Sequence, residues 1–224
     1  MADPITPPAR LGLQLAIGAL LLIAAAWLFG AIAEDVVTSD RLTVVDAQLA
    51  EWLHERATPA MTRWVLVVTN LHSTIAISCY SALVALYFVH ARQWRRFSTL
   101  VVCLAGGLAL NVLMKLAFHR ARPSFDNPLL TLASYSFPSG HVAGSTILYG
   151  LGVVFVFART QSWKWRIAAV ILAALAITLV AFTRVYLGVH YLSDVGAAFA
   201  EGVAWLAISL TALDAFWRRK GRTR

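Results

Sequence analysis

The chain has 224 residues, of which 59% are hydrophobic and 13% are charged, and its mean hydropathy is +0.70. A soluble domain carries roughly 25% charged residues, so this composition excludes an ordinary soluble fold. The formal net charge is +8 and the pI ≈ 10.1, but no nucleic-acid-binding motif accompanies them, so no nucleic-acid partner is expected.

Six apolar segments are long enough to cross a bilayer, which requires about 20 residues each. The first follows one cation and three prolines without a secretory cleavage pattern, so it is interpreted as a retained span. The second carries Asn70 and His72 near its start, where a bend or an interfacial beginning is expected. The pattern predicts an all-α, six-span transmembrane bundle in one domain, residues 1–224. The spans lie near residues 11–33, 64–90, 97–118, 141–158, 166–186 and 194–216.

Residues 34–63 differ from the spans because acidic and apolar side chains alternate there. Val45, Leu49, Trp52 and Leu53 have the spacing of one helix face. The pattern predicts either a short amphipathic helix at the membrane interface or a structured loop that caps the bundle. Whether this segment gates a pocket stays open.

Several residues inside the spans suggest packing roles. Cys79 and Cys103 lie in apolar runs and are expected to be buried thiols. The Gly106–Gly107 pair predicts close helix packing. Asn111 and Glu201 would either support a nearby site or form a hydrogen bond between helices, and the second is the commoner use.

Basic residues orient the bundle. In a six-span topology with both termini on one side, the loops after the second and fourth spans share that side with the C-terminal tail. The positive-inside rule makes this side cytoplasmic. The prediction is a protein of the cytoplasmic (inner) membrane, with both termini in the cytoplasm and residues 34–63 on the outward face. The basic residues concerned are Arg92, Arg95, Arg96, Arg159, Lys164, Arg166, Arg218, Arg219, Lys220, Arg222 and Arg224.

Three polar islands interrupt the apolar sequence, at residues 115–123, 138–141 and 183–194. Each lies at the outward end of an apolar run. Cations and imidazoles are costly beside hydrocarbon unless they face each other or an anion. Their grouping therefore predicts one shared site on the outward face.

The third island pairs an imidazole with a carboxylate. His190 and Asp194 are four residues apart, which places them one turn apart on one helix face. The carboxylate can accept a hydrogen bond from one ring nitrogen and leave the other lone pair free for attack. A histidine held in this way is a nucleophile for phosphorus. Taken alone, such a pair is more often structural.

The second island, Pro138-Ser139-Gly140-His141, predicts a turn that leads into the fourth span. Backbone N–H groups at a helix N-terminus and the Ser139 hydroxyl can point at an anion. His141 would lie at the mouth of the site, where it can protonate a leaving oxygen. The alternative is an ordinary helix cap beside a histidine without a role.

The cations come from the first and third islands. Lys115, Arg122 and Arg184 suit the three oxygens of a phosphoryl group in transfer. The alternative for Lys115 is a side chain that extends toward the interface. Arg120 is interpreted as an ordinary interfacial charge and His119 as a bystander.

Together and in this order, the islands resemble the signature motifs of the type 2 phosphatidic acid phosphatase family, which shares its site with vanadium haloperoxidases and glucose-6-phosphatase. The family pattern is Lys, six residues, Arg-Pro; then Pro-Ser-Gly-His; then Ser-Arg, five residues, His, three residues, Asp. Thr183 stands where the family has Ser; it keeps the hydroxyl and adds a methyl group. The matching residues are Lys115, Arg122, Pro123, Pro138, Ser139, Gly140, His141, Arg184, His190 and Asp194.

The resemblance implies a metal-independent lipid phosphatase without a cofactor. His190 would attack phosphorus to form a phosphohistidine, and Asp194 would orient it. His141 would protonate the leaving oxygen and then activate water. The phosphoryl oxygens would be held by Lys115, Arg122, Ser139, Gly140 and Arg184, with Thr183, Pro123 and Pro138 in support.

A site at the interface favours a lipid whose phosphate or pyrophosphate head group reaches the pocket while its tail stays among the membrane lipids. The resemblance implies undecaprenyl pyrophosphate, phosphatidylglycerophosphate, phosphatidic acid or a lipid A phosphate, and the motifs do not discriminate them. Undecaprenyl pyrophosphate or broad specificity is favoured. A lipid phosphotransferase using the same phosphohistidine, or a catalytically silent binder or transporter of lipid phosphates, stays open, and no oligomeric state is predicted.

Overall fold

The computed structural model describes residues 7–222, and it describes side chains for residues 12–13 and 15–220. Arg224 and the side chain of Arg222, two of the predicted basic tail residues, lie outside what is described. Residues 7–222 form eight helices and no strand. The helices are α1 (Pro7–Thr38), α2 (Arg41–Glu55), α3 (Pro59–Leu71), α4 (Thr74–His90), α5 (Trp94–Phe118), α6 (Gly140–Arg159), α7 (Trp163–Tyr186) and α8 (Leu192–Arg222).

The predicted six-span bundle is confirmed. In residues 7–222, five helices are long and apolar enough to cross a membrane: α1, α5, α6, α7 and α8. Helices α3 and α4 pass the same test together as a pair bent by 41°, and counting this pair as one broken span gives six. The bend follows Asn70 and His72. Ser73 is the N-cap of α4, and its hydroxyl accepts a hydrogen bond from the N–H of Ala76.

The core lies where α8 packs against α1 and α6, while α6 also contacts α5 and α7. Close contact between α5 and α8 depends on Gly106, because a Cβ built there would lie 2.3 Å from the Trp205 ring. The indole N–H of Trp205 donates to the carbonyl of Cys103 at 2.8 Å, which fixes the ring in this position. The packing role predicted for the glycine pair is therefore confirmed.

The other packing predictions have mixed outcomes. Asn111 Nδ2 donates to Glu201 Oε2 at 2.9 Å, so this pair forms the predicted hydrogen bond between helices α5 and α8. Cys103 is buried, as expected. The prediction of a buried Cys79 is wrong, because its thiol lies on the exposed side of α4.

Residues 41–55 form a helix, α2, which packs against α7 and α8. Only two of the four apolar residues predicted to share one face pack against the rest of the bundle. Leu49 and Leu53 pack against the core beside the buried carboxylate of Asp46, whereas Val45 and Trp52 are exposed. The carboxylate of Asp46 therefore lies on the buried face of this helix.

Two connections complete the end of the bundle opposite the basic loops. Residues 119–139 join α5 to α6 without regular secondary structure, and residues 187–191 join α7 to α8. The short connection turns at Gly188, whose φ of +64° favours glycine. A Cβ there would lie 2.6 Å from the Phe125 ring, so the longer connection packs directly over the turn.

Candidate active site

The three polar islands converge at one end of the bundle. Four helix ends meet there: the last turns of α5 and α7 and the first turns of α6 and α8. Each helix end brings one or more of the predicted residues to the same place. These are Lys115 on α5, Ser139, Gly140 and His141 at the start of α6, Arg184 on α7, His190 in the 187–191 connection and Asp194 on α8.

His190 is buried and pairs with the buried carboxylate of Asp194, at 3.3 Å between Nδ1 and Oδ2. Its other ring nitrogen, Nε2, lies 3.2 Å from Nη1 of Arg122. A guanidinium can only donate, so Nε2 accepts this hydrogen bond and Nδ1 carries the ring proton that Asp194 accepts. The imidazole is therefore the tautomer whose Nε2 lone pair faces the cations.

Burial lowers the pKa of His190 from its ordinary 6.5 to about 4. Desolvation is the largest cause, and the nearby Asp194 carboxylate opposes it by favouring the charged ring. The guanidinium groups of Arg122 and Arg184 lower the pKa further. At neutral pH the ring is uncharged and its Nε2 can act as a nucleophile.

Arg122 is held by the connection from α5 to α6. Nε donates to the carbonyl of Ser134 at 2.6 Å, and Nη2 donates to the Ser134 hydroxyl and to the carbonyl of Tyr135, both at 3.0 Å. Nη1 donates to the carbonyl of Val189 and to His190. Burial lowers the pKa of Arg122, while Asp194 raises it. The result is a rigid cation against the imidazole.

Arg184 is the most deeply buried cation of the site, with only 1% of its surface exposed. Nη1 donates to the hydroxyl of Thr69 at 2.6 Å. Nε and Nη2 have no hydrogen-bond partner among the described residues, and neither does the buried hydroxyl of Ser139. Buried donors of this kind are costly unless an acceptor satisfies them, and a phosphate oxygen would do so.

Lys115 and the 138–141 turn bound the rest of the site. Lys115 Nζ donates to the carbonyls of Tyr135 and Ser136, at 2.8 and 3.4 Å. The N–H of Ser139 donates to the carbonyl of Asp194 at 3.1 Å, which ties the start of α6 to the start of α8. His141 is half-buried in the first turn of α6 and is close enough to interact electrostatically with His190.

The three residues assigned supporting roles have different surroundings. The Thr183 hydroxyl donates to the carbonyl of Val180 at 2.7 Å, so its proton is not directed at a phosphate. Pro138 is buried at the start of the turn, and Pro123 is half-buried after Arg122. In residues 7–222, no group of three or more His, Cys, Asp or Glu side chains is placed to hold a metal ion.

Arg120 is not the interfacial charge that the sequence suggested, and that interpretation is wrong. Its side chain is only 12% exposed and forms ion pairs with two buried carboxylates. Nη1 lies 2.6 Å from Oδ1 of Asp194, and Nη2 lies 2.8 Å from Oδ2 of Asp46. One cation thus neutralises two buried carboxylates, which an ordinary surface charge does not do.

The helical period of the sequence indicates that Asp46 is buried. Asp46, Leu49, Ala50 and Leu53 follow the 3.6-residue period of one helix face, and this is the face that is buried. A carboxylate on a buried face requires a partner. The distant partner, Arg120, cannot be identified from helical spacing.

An apolar groove of about 310 Å³ runs between α4, α5 and α6. Ile77, Leu104 and Leu108 line its apolar length. It reaches Asn111 and Gly140, so one end lies against the turn that bounds the site. The groove thus connects the lipid-facing side of α4, α5 and α6 with the Gly140 end of the site.

A family model, described as the PAP2 superfamily, matches residues 96–218, which is more than half of the chain. The chain belongs to the PAP2 superfamily. The matched region includes all three polar islands and therefore the whole set of converging side chains. The family resemblance drawn from the motifs is confirmed.

Two curated relatives are similar over part of their length. Phosphatidylglycerophosphatase B of Bacillus subtilis (strain 168) is 33% identical over 117 residues, which cover 52% of this chain and 57% of that protein. Undecaprenyl-diphosphatase of Sulfolobus acidocaldarius is 30% identical over 128 residues, covering 55% of this chain and 57% of that protein. The chain thus matches a little over half the length of each relative.

A solved structure is similar over nearly the whole chain. It is the crystal structure of the first transmembrane PAP2 type phosphatidylglycerolphosphate phosphatase from Bacillus subtilis. The TM-score is 0.72 at 25% sequence identity, and the match covers 88% of this chain and 96% of that chain. The chain is a multi-pass membrane protein with this PAP2 fold.

Proposed function

We propose that this chain is a lipid phosphatase that hydrolyses a phosphate monoester or pyrophosphate head group through a phosphohistidine at His190. The single observation that carries the proposal is that a neutral, buried His190 lies against Arg122, while the buried cation Arg184 has donors without partners. Nε2 of His190 faces Arg122, and two buried nitrogens of Arg184, Nε and Nη2, are free to donate to an anion. This arrangement suits phosphoryl transfer and has no evident use in helix packing.

The first step forms a bond from His190 Nε2 to phosphorus as the bond from phosphorus to the lipid oxygen breaks. The leaving oxygen takes a proton from His141, whose protonated form is favoured when a phosphate anion is bound. The ring of His190 becomes positively charged, and the Asp194 carboxylate stabilises it. In the second step, neutral His141 accepts a proton from water, whose oxygen attacks phosphorus and releases His190 and inorganic phosphate.

The chain's own residues replace a metal in this scheme. Lys115, Arg122 and Arg184 place three cations where charge accumulates on the phosphoryl oxygens. The N-terminus of α6 adds backbone N–H groups and the positive end of its dipole at the Ser139–Gly140 turn. Pro123, Pro138 and Thr183 shape the adjoining backbone, and the reaction is expected to proceed without added metal.

The substrate class follows from the groove between α4, α5 and α6. Its apolar lining suits a hydrocarbon chain, and its inner end reaches Asn111 and Gly140, at the start of α6. The names of the similar proteins favour phosphatidylglycerophosphate or undecaprenyl pyrophosphate, and phosphatidic acid and lipid A phosphates have the same chemistry. Undecaprenyl pyrophosphate or broad specificity remains the favoured assignment.

The site is proposed to open on the outward face of the cytoplasmic membrane. The basic loops lie at the opposite ends of the same helices, and basic loops mark the cytoplasmic side. Both termini would then be cytoplasmic. A lipid could enter the groove sideways from the bilayer while its head group meets the site near the interface.

The test is phosphate release from a panel of these lipid phosphates and pyrophosphates in detergent with EDTA. Wild type is compared with His190→Ala and with His90→Ala, a matched control whose histidine is exposed at the end of α4. The proposal predicts release by wild type and His90→Ala and none by His190→Ala. Near-normal release by His190→Ala would contradict the assignment of the nucleophile.

Two other outcomes would identify the rival classes. Release that depends on an added alcohol acceptor, with the phosphoryl group recovered on that alcohol, would indicate a phosphotransferase. Binding of the lipids without release, by a protein with an intact helical fold, would indicate a silent binder or transporter.

A further inference from the structure

We propose that Arg120, held by Asp46 of α2, is a positioning residue that orients Asp194 and through it the imidazole of His190. The inference rests on the proposed function, in which His190 attacks phosphorus. It assigns a role to a cation and a carboxylate that lie outside the phosphate-binding set. It also assigns a function to α2, because this helix supplies Asp46, the carboxylate that holds Arg120.

The two oxygens of Asp194 have separate tasks. Oδ1 accepts from Arg120 at 2.6 Å. Oδ2 accepts from Nδ1 of His190 at 3.3 Å and from the N–H of Tyr191 at 2.9 Å. Because Oδ1 is anchored, the carboxylate cannot rotate about its Cβ–Cγ bond without losing an ion pair. Arg120 therefore fixes the direction in which Oδ2 meets the imidazole.

The weakest contact of this set is also the one that matters for attack. At 3.3 Å, the bond between His190 and Asp194 lies just beyond the usual range for an N–H donor. A small rotation of the carboxylate would break it and leave the ring held only by Arg122 at Nε2. The anchor on Oδ1 is thus more important than it would be for a short, strong pair.

Arg120 is itself held on three sides. Nη1 also donates to the Ser193 hydroxyl at 2.6 Å, and Nη2 donates to Asp46. The guanidinium lies over the Tyr191 ring, 4.4 Å from its centroid. A planar fork can meet two carboxylates in this way, whereas a lysine ammonium cannot span both.

Asp46 completes the network from the far side. Oδ1 accepts from the N–H of Ser193 at 2.9 Å, and Oδ2 accepts from the Ser193 hydroxyl and from Arg120. This ties α2 to the first turn of α8, one residue before Asp194. Asp46 therefore holds both the cation and the backbone beside the carboxylate that it orients.

The charges of the network agree with the role. The two buried carboxylates and one guanidinium of the network sum to a net charge of −1 on the Nδ1 side of His190, opposite Arg122 on the Nε2 side. The ring gains a positive charge when Nε2 bonds to phosphorus, so the net charge favours the intermediate. Exposure to solvent is small throughout, which strengthens the interaction.

The test compares Arg120→Gln, Arg120→Lys and Asp46→Asn with wild type and with Arg56→Gln. Arg56 is a matched control, because it forms an exposed pair with Glu55 on the surface of the protein. We expect Arg120→Gln to lower kcat about 10- to 100-fold and to change KM by less than about threefold. Losses of this size are typical when a hydrogen-bonding partner that orients a functional side chain is removed. Arg120→Lys should recover part of the loss.

A double variant separates positioning from general support. If Arg120 acts through Asp194, adding Arg120→Gln to Asp194→Asn should lower kcat by less than about twofold more. An additive loss would overturn the inference, as would a loss confined to KM or a folded Arg120→Gln with the kcat of wild type. If Arg120→Gln fails to fold, Arg120→Lys and Asp46→Asn answer the same question through the same cycle.

A second measurement does not depend on the substrate. The Nδ1 proton of His190, hydrogen-bonded to Asp194, should give a low-field proton resonance that His190→Ala identifies. We expect the resonance in wild type and Arg56→Gln and its loss in Arg120→Gln. An unchanged resonance would overturn the inference. Absence of phosphatase activity beside a resonance that depends on Arg120 would contradict the proposed function alone.

Discussion

The protonation of His190 illustrates how burial at a single residue sets the chemistry of the site. Its pKa is lowered to about 4, so the ring is neutral above that pH and charged below it. A neutral ring is required for attack, so the loss of kcat/KM that comes from protonating His190 should be centred near pH 4 rather than near 6.5. The measurement is kcat/KM against pH, which reports the free enzyme. A decline centred near 6.5 would contradict this environment.

A second prediction at this scale concerns Asp194. Asp194→Asn keeps the size of the side chain but removes the carboxylate that accepts the Nδ1 proton of His190. We expect kcat to fall about 10³- to 10⁴-fold, as when a buried carboxylate that orients a catalytic histidine is lost. Asp214→Asn is the control, because Asp214 lies on the same helix in an exposed pair with Arg218. Equal activities of the two variants would refute the role.

Sequence spacing predicts contacts within a helical turn far better than contacts between distant elements. The separation of four residues predicts the pairing of His190 with Asp194, but His190 lies in the connection just before α8 and not on the helix. The contact between Arg120 and Asp46 joins residues 74 positions apart, and no local period predicts it. The partner of Arg184, Thr69, comes from α3 and was missed for the same reason.

At the scale of elements, the contact between α5 and α8 makes a prediction about stability. Gly106→Ala would place a Cβ 2.3 Å from a Trp205 ring that is fixed by its hydrogen bond to Cys103. Overpacking costs about 1–3 kcal/mol, which exceeds the gain of up to about 1 kcal/mol from replacing glycine in a helix. The thermal midpoint of the detergent-solubilised protein should fall.

Gly152→Ala is the matched control, because a Cβ on this glycine of α6 has no atom within 4 Å. Its thermal midpoint should stay the same or rise. If Gly106→Ala is as stable as Gly152→Ala, the helices can separate without cost and the packing account is wrong.

The sequence predicts which segments are helical better than it predicts which face of a helix is packed. The six spans follow from apolar length alone. The pattern over residues 34–63 predicts an amphipathic helix or a capping loop, and helix α2 occupies residues 41–55 of that segment. Trp52, one of the four residues predicted to share an apolar face, is exposed. In a membrane protein an outward apolar side chain can meet lipid, so apolarity alone does not identify the packed face.

At the scale of the whole molecule, the charge distribution predicts the orientation in the membrane. Asn127 lies in the 119–139 connection at the site end, and Gln161 lies in the loop between α6 and α7 at the opposite end, and both are exposed. In a chain with Cys79→Ala and Cys103→Ala, a membrane-impermeant maleimide added to intact cells should label Asn127→Cys. Gln161→Cys should be labelled only after permeabilisation. The reverse pattern would place the site in the cytoplasm.

The measurement that tests the central claim most directly is the location of the phosphoryl group during turnover. Wild type is mixed with a lipid phosphate that it hydrolyses, quenched in base, and mapped by peptide mass spectrometry. The account predicts a phosphoryl group on the peptide that contains His190, and none on that peptide in Asp194→Asn. Turnover with no phosphoryl group on His190, or with one on another residue, would contradict it.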